Sequence, residues 1–161
     1  MQKNKKKNEG RKYITTNKKA FHDYTILERF EAGISLTGTE VKSCMENGAN
    51  LKDSYACIRN GQLTLVGAHI APYSQGNIEN HDPDQPRILL MHKREITRLK
   101  KSVEAKGFTL IALSMYFSPS HKIKVELALC RGKNVRDKRE DMKKAIDVME
   151  TKRMMSGKGK L

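Results

Sequence analysis

The chain has 161 residues, with 32 Lys and Arg against 18 Asp and Glu, a formal net charge of +14. That length holds one domain with a core and not two, and the charge excess suits a polyanionic partner, nucleic acid or less often an anionic membrane surface. The longest uncharged apolar run, near Phe108–Phe117, falls far short of the ~20 residues that span a bilayer, and the Lys-rich N-terminus has no apolar stretch behind it to act as a secretory signal.

Residues 1–19 carry eight Lys or Arg and one acid, and residues 131–161 carry eleven bases and five acids. Residues 20–130 are nearly neutral, which reads as a folded body with two basic arms. Lys3, Lys5, Lys6 and Lys7 repel one another with nothing to bury nearby, so the N-terminal arm is expected to be disordered until bound. Phe21–Phe30 mixes β-branched, aromatic and polar residues and reads as strand, continued by Gly33–Leu36. Thr39–Glu46 is expected to be a short helix capped by Thr39 and stopped near Asn47–Gly48. Ser54–Arg59 and Gln62–Gly67 flank Asn60–Gly61, a pair that tolerates the positive φ angles of a tight hairpin turn.

Residues 72–86 hold three of the four prolines and Gly76, and are expected to be a long loop, the most mobile part of the body. Arg87–His92 is a short strand candidate. Lys93–Lys106 places Ile96, Leu99 and Val103 on one helical face and stops at Gly107. Phe108–Phe117 reads as a buried strand and Ser118–His121 as a turn. Lys122–Cys130 alternates, with Ile123, Val125, Leu127 and Leu129 opposed to Lys122, Lys124 and Glu126, as in a half-buried strand. Many short strands and two body helices suggest a mainly β fold, a small closed barrel of the OB type with flanking helices. From Asp137 onward Met142, Ile146, Met149 and Met154 recur at helical spacing. That stripe is too thin for a core helix and suits a partner's groove or ordering on RNA.

Catalytic and metal chemistry have little support. His22, His69, His81, His92 and His121 form no HExxH and pair with no Cys at ligand spacing, so no metal site is expected. No Walker loop, GxGxxG or GxSxG is present, and no cofactor is implied. His22–Asp23 and His81–Asp82 are adjacent residues which, on a strand, would point to opposite faces. Cys44, Cys57 and Cys130 make no CxxC pair and no disulfide framework, which fits a reducing cytoplasm. Stacking groups are better supplied: Tyr13 lies in the basic N-terminal segment, whereas Phe30 and Tyr116 read as core. Glu31 is an acid in a nucleic-acid-binding candidate. It would either accept hydrogen bonds from base amino groups or a ribose hydroxyl, or sit in an internal salt bridge, and the residues alone favour the bridge.

The runs Asn17-Lys18-Lys19-Ala20-Phe21-His22-Asp23-Tyr24, Phe30-Glu31-Ala32-Gly33-Ile34 and Leu36-Thr37-Gly38-Thr39-Glu40-Val41-Lys42-Ser43 closely resemble the SsrA-binding protein family of bacteria, also called small protein B. Asn50-Leu51 with Asp53-Ser54-Tyr55, the His69-Ile70 and Pro72-Tyr73 pairs, and His81-Asp82-Pro83 match it too. Leu89-Leu90, Glu95-Ile96 with Leu99, and Gly132-Lys133 followed by Asp137-Lys138-Arg139 complete the pattern in order. The likeness runs from about residue 12 to 153.

The resemblance implies an OB-type barrel that binds the tRNA-like domain of transfer-messenger RNA and takes that RNA to stalled ribosomes for trans-translation, without being an enzyme. The family's RNA-contacting positions fall on Asn17, His22, Glu31, Leu90 and Lys124; Lys18, Lys19, Glu40, Lys42 and Arg87 complete the candidate RNA-binding set. The tail, disordered when free, is expected to become helical in the decoding region and mRNA channel. Its candidate residues are Gly132, Lys133, Arg136, Asp137, Lys138, Arg139, Lys143, Lys144, Lys152 and Arg153. The expected division is 1–12 as arm, 13–130 as RNA-binding barrel and 131–161 as tail, in a cytoplasmic monomer with no membrane partner. Two departures stand out: Ile88 follows Arg87 where the family has a Lys, and Arg136 occupies a position that is often aromatic or His. Two other readings remain: a general RNA-binding or ribosomal protein, and an RNA-processing enzyme.

Overall fold

Asn17 breaks the chain between strand β1 (Lys12–Thr16) and helix α1 (Lys18–Asp23) by capping the helix through its side chain. Strand β2 (Tyr24–Ile34), helix α2 (Gly38–Met45), the two-residue strand β3 (Ala49–Asn50) and the hairpin β4 (Tyr55–Arg59) and β5 (Gln62–Val66) follow. Strand β6 (His69–Ile70) and a long loop lead to β7 (Arg87–Leu90), helix α3 (Lys93–Lys106), strands β8 (Thr109–Phe117) and β9 (Ile123–Gly132), and helix α4 (Val135–Gly157). The structure, a computed structural model, describes residues 10–157 apart from 77, 79 and 134, and leaves out the side chains of 135 and 137.

The main sheet runs β1-β8-β4-β5-β7-β2-β9, with β8 also pairing β9, and every pairing in it is antiparallel. Pairings therefore lead from β8 through β4, β5, β7, β2 and β9 back to β8. The fold is mainly β with flanking helices. Leu63, Leu65, Leu89, Leu110, Met115, Val125 and Leu127 fill the space inside that ring, and Leu99 of α3 packs against them. Each such side chain contributes about 1.5–3 kcal/mol by leaving water.

The hairpin forms as the sequence suggests, with Asn60 at φ 52° and Gly61 at φ 74°. Gly107 ends α3 in the left-handed region at φ 63°. Other expectations are corrected. Phe21–Asp23 belong to α1, not to a strand. The cap of α2 is Thr37: its side chain accepts from the Glu40 amide while the Glu40 carboxylate accepts from the Thr37 amide. β9 is not half-buried throughout. Beyond Glu126, Ala128 and Cys130 are buried on its outer side, where α1 covers them through Ala20 together with Ile111 and Leu113 of β8.

A bulge lies next to that outer covering. Leu113 is an extra residue between Ala112 and Ser114 in the β8–β9 register, and it reverses which side chains face outward beyond it. The loop over 72–86, expected to be mobile, is braced through its described residues. Asn80 exchanges two hydrogen bonds with the Tyr73 backbone. His81 Nε2 donates to the Ile70 carbonyl, so its Nδ1 accepts from the Thr39 hydroxyl. The tail segment expected to be disordered in the free chain is here the 23-residue helix α4. The N-terminal arm lies mostly outside the described residues, but Arg11 and Lys12 are part of the folded body.

Candidate nucleic-acid interface

Gly33 of β2 pairs with Leu90 of β7 on one side and with Lys124 of β9 on the other. Three adjacent strands thus present an apolar side chain, a bare backbone and a cation in one row. Leu90 is 59% exposed, and a Cβ at Gly33 would stand 3.3 Å from that of Leu90. The row borders a groove of about 430 Å³ that Val41 and His121 also line. Such a surface offers a flat contact for a sugar or base and one charge for a phosphate. Ile88, in place of the family's Lys, is exposed two residues from Leu90 and makes the row more apolar.

Glu31 points outward from the same strand as Gly33. Its Oε2 accepts from Arg11 Nη2 at 3.1 Å and from the Tyr116 hydroxyl in a short hydrogen bond. The Arg11 guanidinium stacks 4.2 Å from the centre of the Tyr116 ring, and Tyr13 leans on the same ring at 5.8 Å. The salt bridge that the residues alone favour is therefore present. Yet the carboxylate is half-exposed, and both hydrogen bonds fall on Oε2, which leaves Oε1 as an acceptor. Burial, then Glu31, pushes the Tyr116 phenol up, so it stays a donor.

Three of the expected contact residues are corrected, because they lie inside the body. Asn17 is 5% exposed. Its amide donates to the Leu51 and Ala112 carbonyls at 3.1 Å each, its Oδ1 accepts from Ala20, and its backbone N–H binds the Leu113 carbonyl at the bulge. Glu40 and Arg87, 1% and 3% exposed, bind each other at 2.7 Å. Arg87 also donates to the carbonyls of Ala68, Asp82, Pro83 and Gln85. These three buried side chains shape the surface from within.

Lys18, Lys19 and His22 are exposed on α1. Lys19 is paired with Asp53 at 2.6 Å, and Lys42 on α2 lies 5.5 Å from the Tyr73 ring centre. His22 Nδ1 donates to Asp23 Oδ1 at 2.8 Å. The expectation that these neighbours diverge fails because they end a helix rather than lie in a strand. The same Asp23 oxygen receives Lys138 at 3.3 Å. The His22 and Lys138 contacts hold its carboxyl below the usual range, against the opposing effect of desolvation. Lys133 donates through its N–H to the Asp23 carbonyl and through Nζ to the Phe21 carbonyl and the Asp141 carboxylate. The root of α4 is thereby clasped to α1.

Arg136 and Arg139 are exposed on the first turns of α4, with Lys143, Lys144, Lys152 and Arg153 exposed farther along. Gly132 ends β9, and the side chain of Asp137 lies outside the described ones. Sequence reasoning missed Asp23 and Arg11. In the sequence the first stands out only as the neighbour of His22, and the second only as one of the N-terminal charges. Among the described residues no three His, Cys, Asp or Glu side chains group to hold a metal, and no helix is long and apolar enough to cross a membrane.

A family model for the SmpB protein matches residues 14–157. The chain belongs to the SmpB family. An SsrA-binding protein of Geobacter sulfurreducens is 52% identical over 94% of this chain and 98% of its own. One from Moorella thermoacetica is 56% identical over 81% and 84%. A solved structure described as "tmRNA-SmpB: a journey to the center of the bacterial ribosome" shares 46% identity, with a TM-score of 0.64 over 75% of this chain and 85% of that one. The SmpB match takes in the strand row, α1 and the whole of α4.

Proposed function

We propose that this chain binds the tRNA-like domain of transfer-messenger RNA and delivers that RNA to stalled ribosomes for trans-translation, its tail engaging the decoding region and the mRNA channel. The observation that carries this is the near end-to-end likeness to SsrA-binding proteins, which includes both the strand row and the tail. The RNA elbow lies on Leu90, Gly33 and Lys124, with Glu31 Oε1 accepting from a base amino group or a ribose hydroxyl. His22, Lys18 and Lys42 add contacts from α1 and α2. The ring of pairings supports reading residues 13–130 as a closed OB-type barrel, with residues 1–12 as arm, of which Arg11 and Lys12 join the body, and 131–161 as tail, of which Arg131 and Gly132 close β9.

The chain acts as an adaptor without turnover, in the cytoplasm and as a monomer. Burial pushes the thiols of Cys44 and Cys130 up to about 11, which suits packing and not nucleophilic attack. Asp23, which a His22 base would need as its orienting partner, is shared with Lys138.

The deciding measurement is a competition titration at physiological salt against the tRNA-like domain, ordinary tRNA and a length-matched RNA duplex. A preference of tenfold or more for the tRNA-like domain, about 1.4 kcal/mol, is expected. Equal binding to all three overturns the reading in favour of a general RNA-binding protein. In the same assay Glu31→Ala is expected to weaken the specific complex about tenfold, as loss of a charge-assisted hydrogen bond does, although it removes a negative charge. Tyr116→Phe keeps the carboxylate and is expected to bind within about threefold of the original. Tighter binding by Glu31→Ala would mean that the carboxylate only repels phosphate.

A further inference from the structure

Only residues 133 and 134 lie between β9 and α4. So short a link fixes where the helix starts, not the direction in which it points. Packing does not fix that direction either. Met142, Ile146 and Met149 are exposed and belong to neither core cluster among the described residues. A cleft of about 470 Å³ lies between helix and barrel, with Glu140 and Asp141 on one wall and Tyr24, Thr25, Ile26 and Arg131 on the other. Among the described residues, Lys138 is the one α4 side chain with an ion pair to a residue before β9, and its partner is Asp23 at 3.3 Å.

Asp23 stands where local preference disfavours it. It is the last residue of α1, and the unpaired carbonyls at a helix C-terminus repel a carboxylate. Two donors offset this: Oδ1 accepts from His22 at 2.8 Å and from Lys138. The Asp23 side chain is three-quarters buried, which protects the pair from the screening that weakens exposed ones. A residue that opposes its own helix and reaches a distant element is placed for that element.

We propose that Asp23 is a positioning residue for the tail: through Lys138 it fixes the direction of α4 across the cleft, and it does so without touching RNA. Its consequence for rescue rests on the proposed function; the direction of α4 does not.

The test places spin labels at Arg59→Cys and Ser156→Cys in the full-length Cys57→Ser chain and reads the distance distribution between them by pulsed electron paramagnetic resonance. Cys44 and Cys130 are buried and stay unlabelled. Asp23→Ala is expected to widen the distribution about twofold, as a lost restraint populates further directions. Lys138→Ala is expected to widen it as much, and Asp23→Ala/Lys138→Ala no further, because the two residues act as one contact. Asp23→Glu keeps the charge, and Glu28→Ala breaks an ion pair on another helix; both are expected to keep the original width. An Asp23→Ala chain as narrow as the original, a Glu28→Ala chain as wide as Asp23→Ala, or a double variant whose widening is the sum of the two overturns the proposal.

Without labels, Asp23→Ala is expected to bind the tRNA-like domain within about threefold of the original and to rescue stalled ribosomes at about a tenth of its rate. RNA binding weakened by about tenfold or more would mean that Asp23 acts by orienting His22, and unchanged rescue would mean that the direction of α4 is immaterial; either result overturns the proposal. Failure of the original chain to rescue counts against the proposed function alone, because the distances are read on the free chain.

Discussion

Replacing Arg87 with Met is expected to remove about 3–5 kcal/mol of stability, the usual cost of leaving one partner of a buried ion pair alone. For a chain of this length that corresponds to a fall in melting midpoint of about 8–15 °C, read by circular dichroism. The loss is large because Arg87 donates to Glu40 and to four carbonyls that water cannot reach easily. A fall smaller than about 3 °C would show that the pair is not what holds α2 and the 72–86 loop to β7. Replacing both charges together, as Glu40→Gln/Arg87→Met, is expected to recover part of the loss, since no unpaired carboxylate then stays buried. The pair also sets an acid limit. Desolvation works to raise the Glu40 carboxyl, but the Thr37 amide, Gln85 and Arg87 outweigh it and hold the group below its ordinary 4.5. A depressed folded value contributes stability that is fully present above 4.5 and is lost as pH falls through the folded value. The Arg87→Met chain should therefore lose less on acidification than the original.

Ending the chain after Lys133 is expected to leave affinity for the tRNA-like domain within about threefold while rescue of stalled ribosomes falls to background. All of β9 and the strand row survive that cut, as does the Lys133 amide bond to the Asp23 carbonyl. What disappears is α4, whose Met142, Ile146 and Met149 are exposed and belong to neither core cluster among the described residues. Rescue measured in a reconstituted translation system decides the matter: full rescue by the shortened chain would end the tail hypothesis. Because α4 is already helical here, binding need not order it from coil, a step that would cost ~1–2 kcal/mol per residue.

Local chemistry was legible in the sequence wherever one residue decides the backbone. Asn60–Gly61 announced the hairpin and Gly107 the end of α3. The Thr37-x-x-Glu40 capping box is written in the sequence too, but Thr39 competes with Thr37 as a cap candidate. Helix α1 was not legible, because six residues give no apolar period and Phe21 to Thr25 have strand character; the useful signal was Asn17 placed to cap Ala20. The outward burial of Ala128 and Cys130 comes from α1 folding over them through Ala20, which no alternation rule foresees. In the candidate site, Gly33, Leu90 and Lys124 meet through register across three strands. The Glu40–Arg87 pair spans 47 residues. A side chain's charge is visible in a sequence, but whether that charge is spent inside the body is settled only by the fold.

Helix α4 has 23 residues, a rod of about 35 Å at 1.5 Å per residue, and among the described residues its ion pairs with the body fall in its first two turns, at Lys138 on Asp23 and at Asp141 on Lys133. Such a rod is a lever. A tilt of about 10° at its root sweeps the far end through roughly 6 Å over that length, about the spacing of neighbouring nucleotides along a strand. The aim of the distal Lys152 and Arg153 is therefore set by a few hydrogen bonds at Asp23 and Lys133, and small changes there are magnified at the tip.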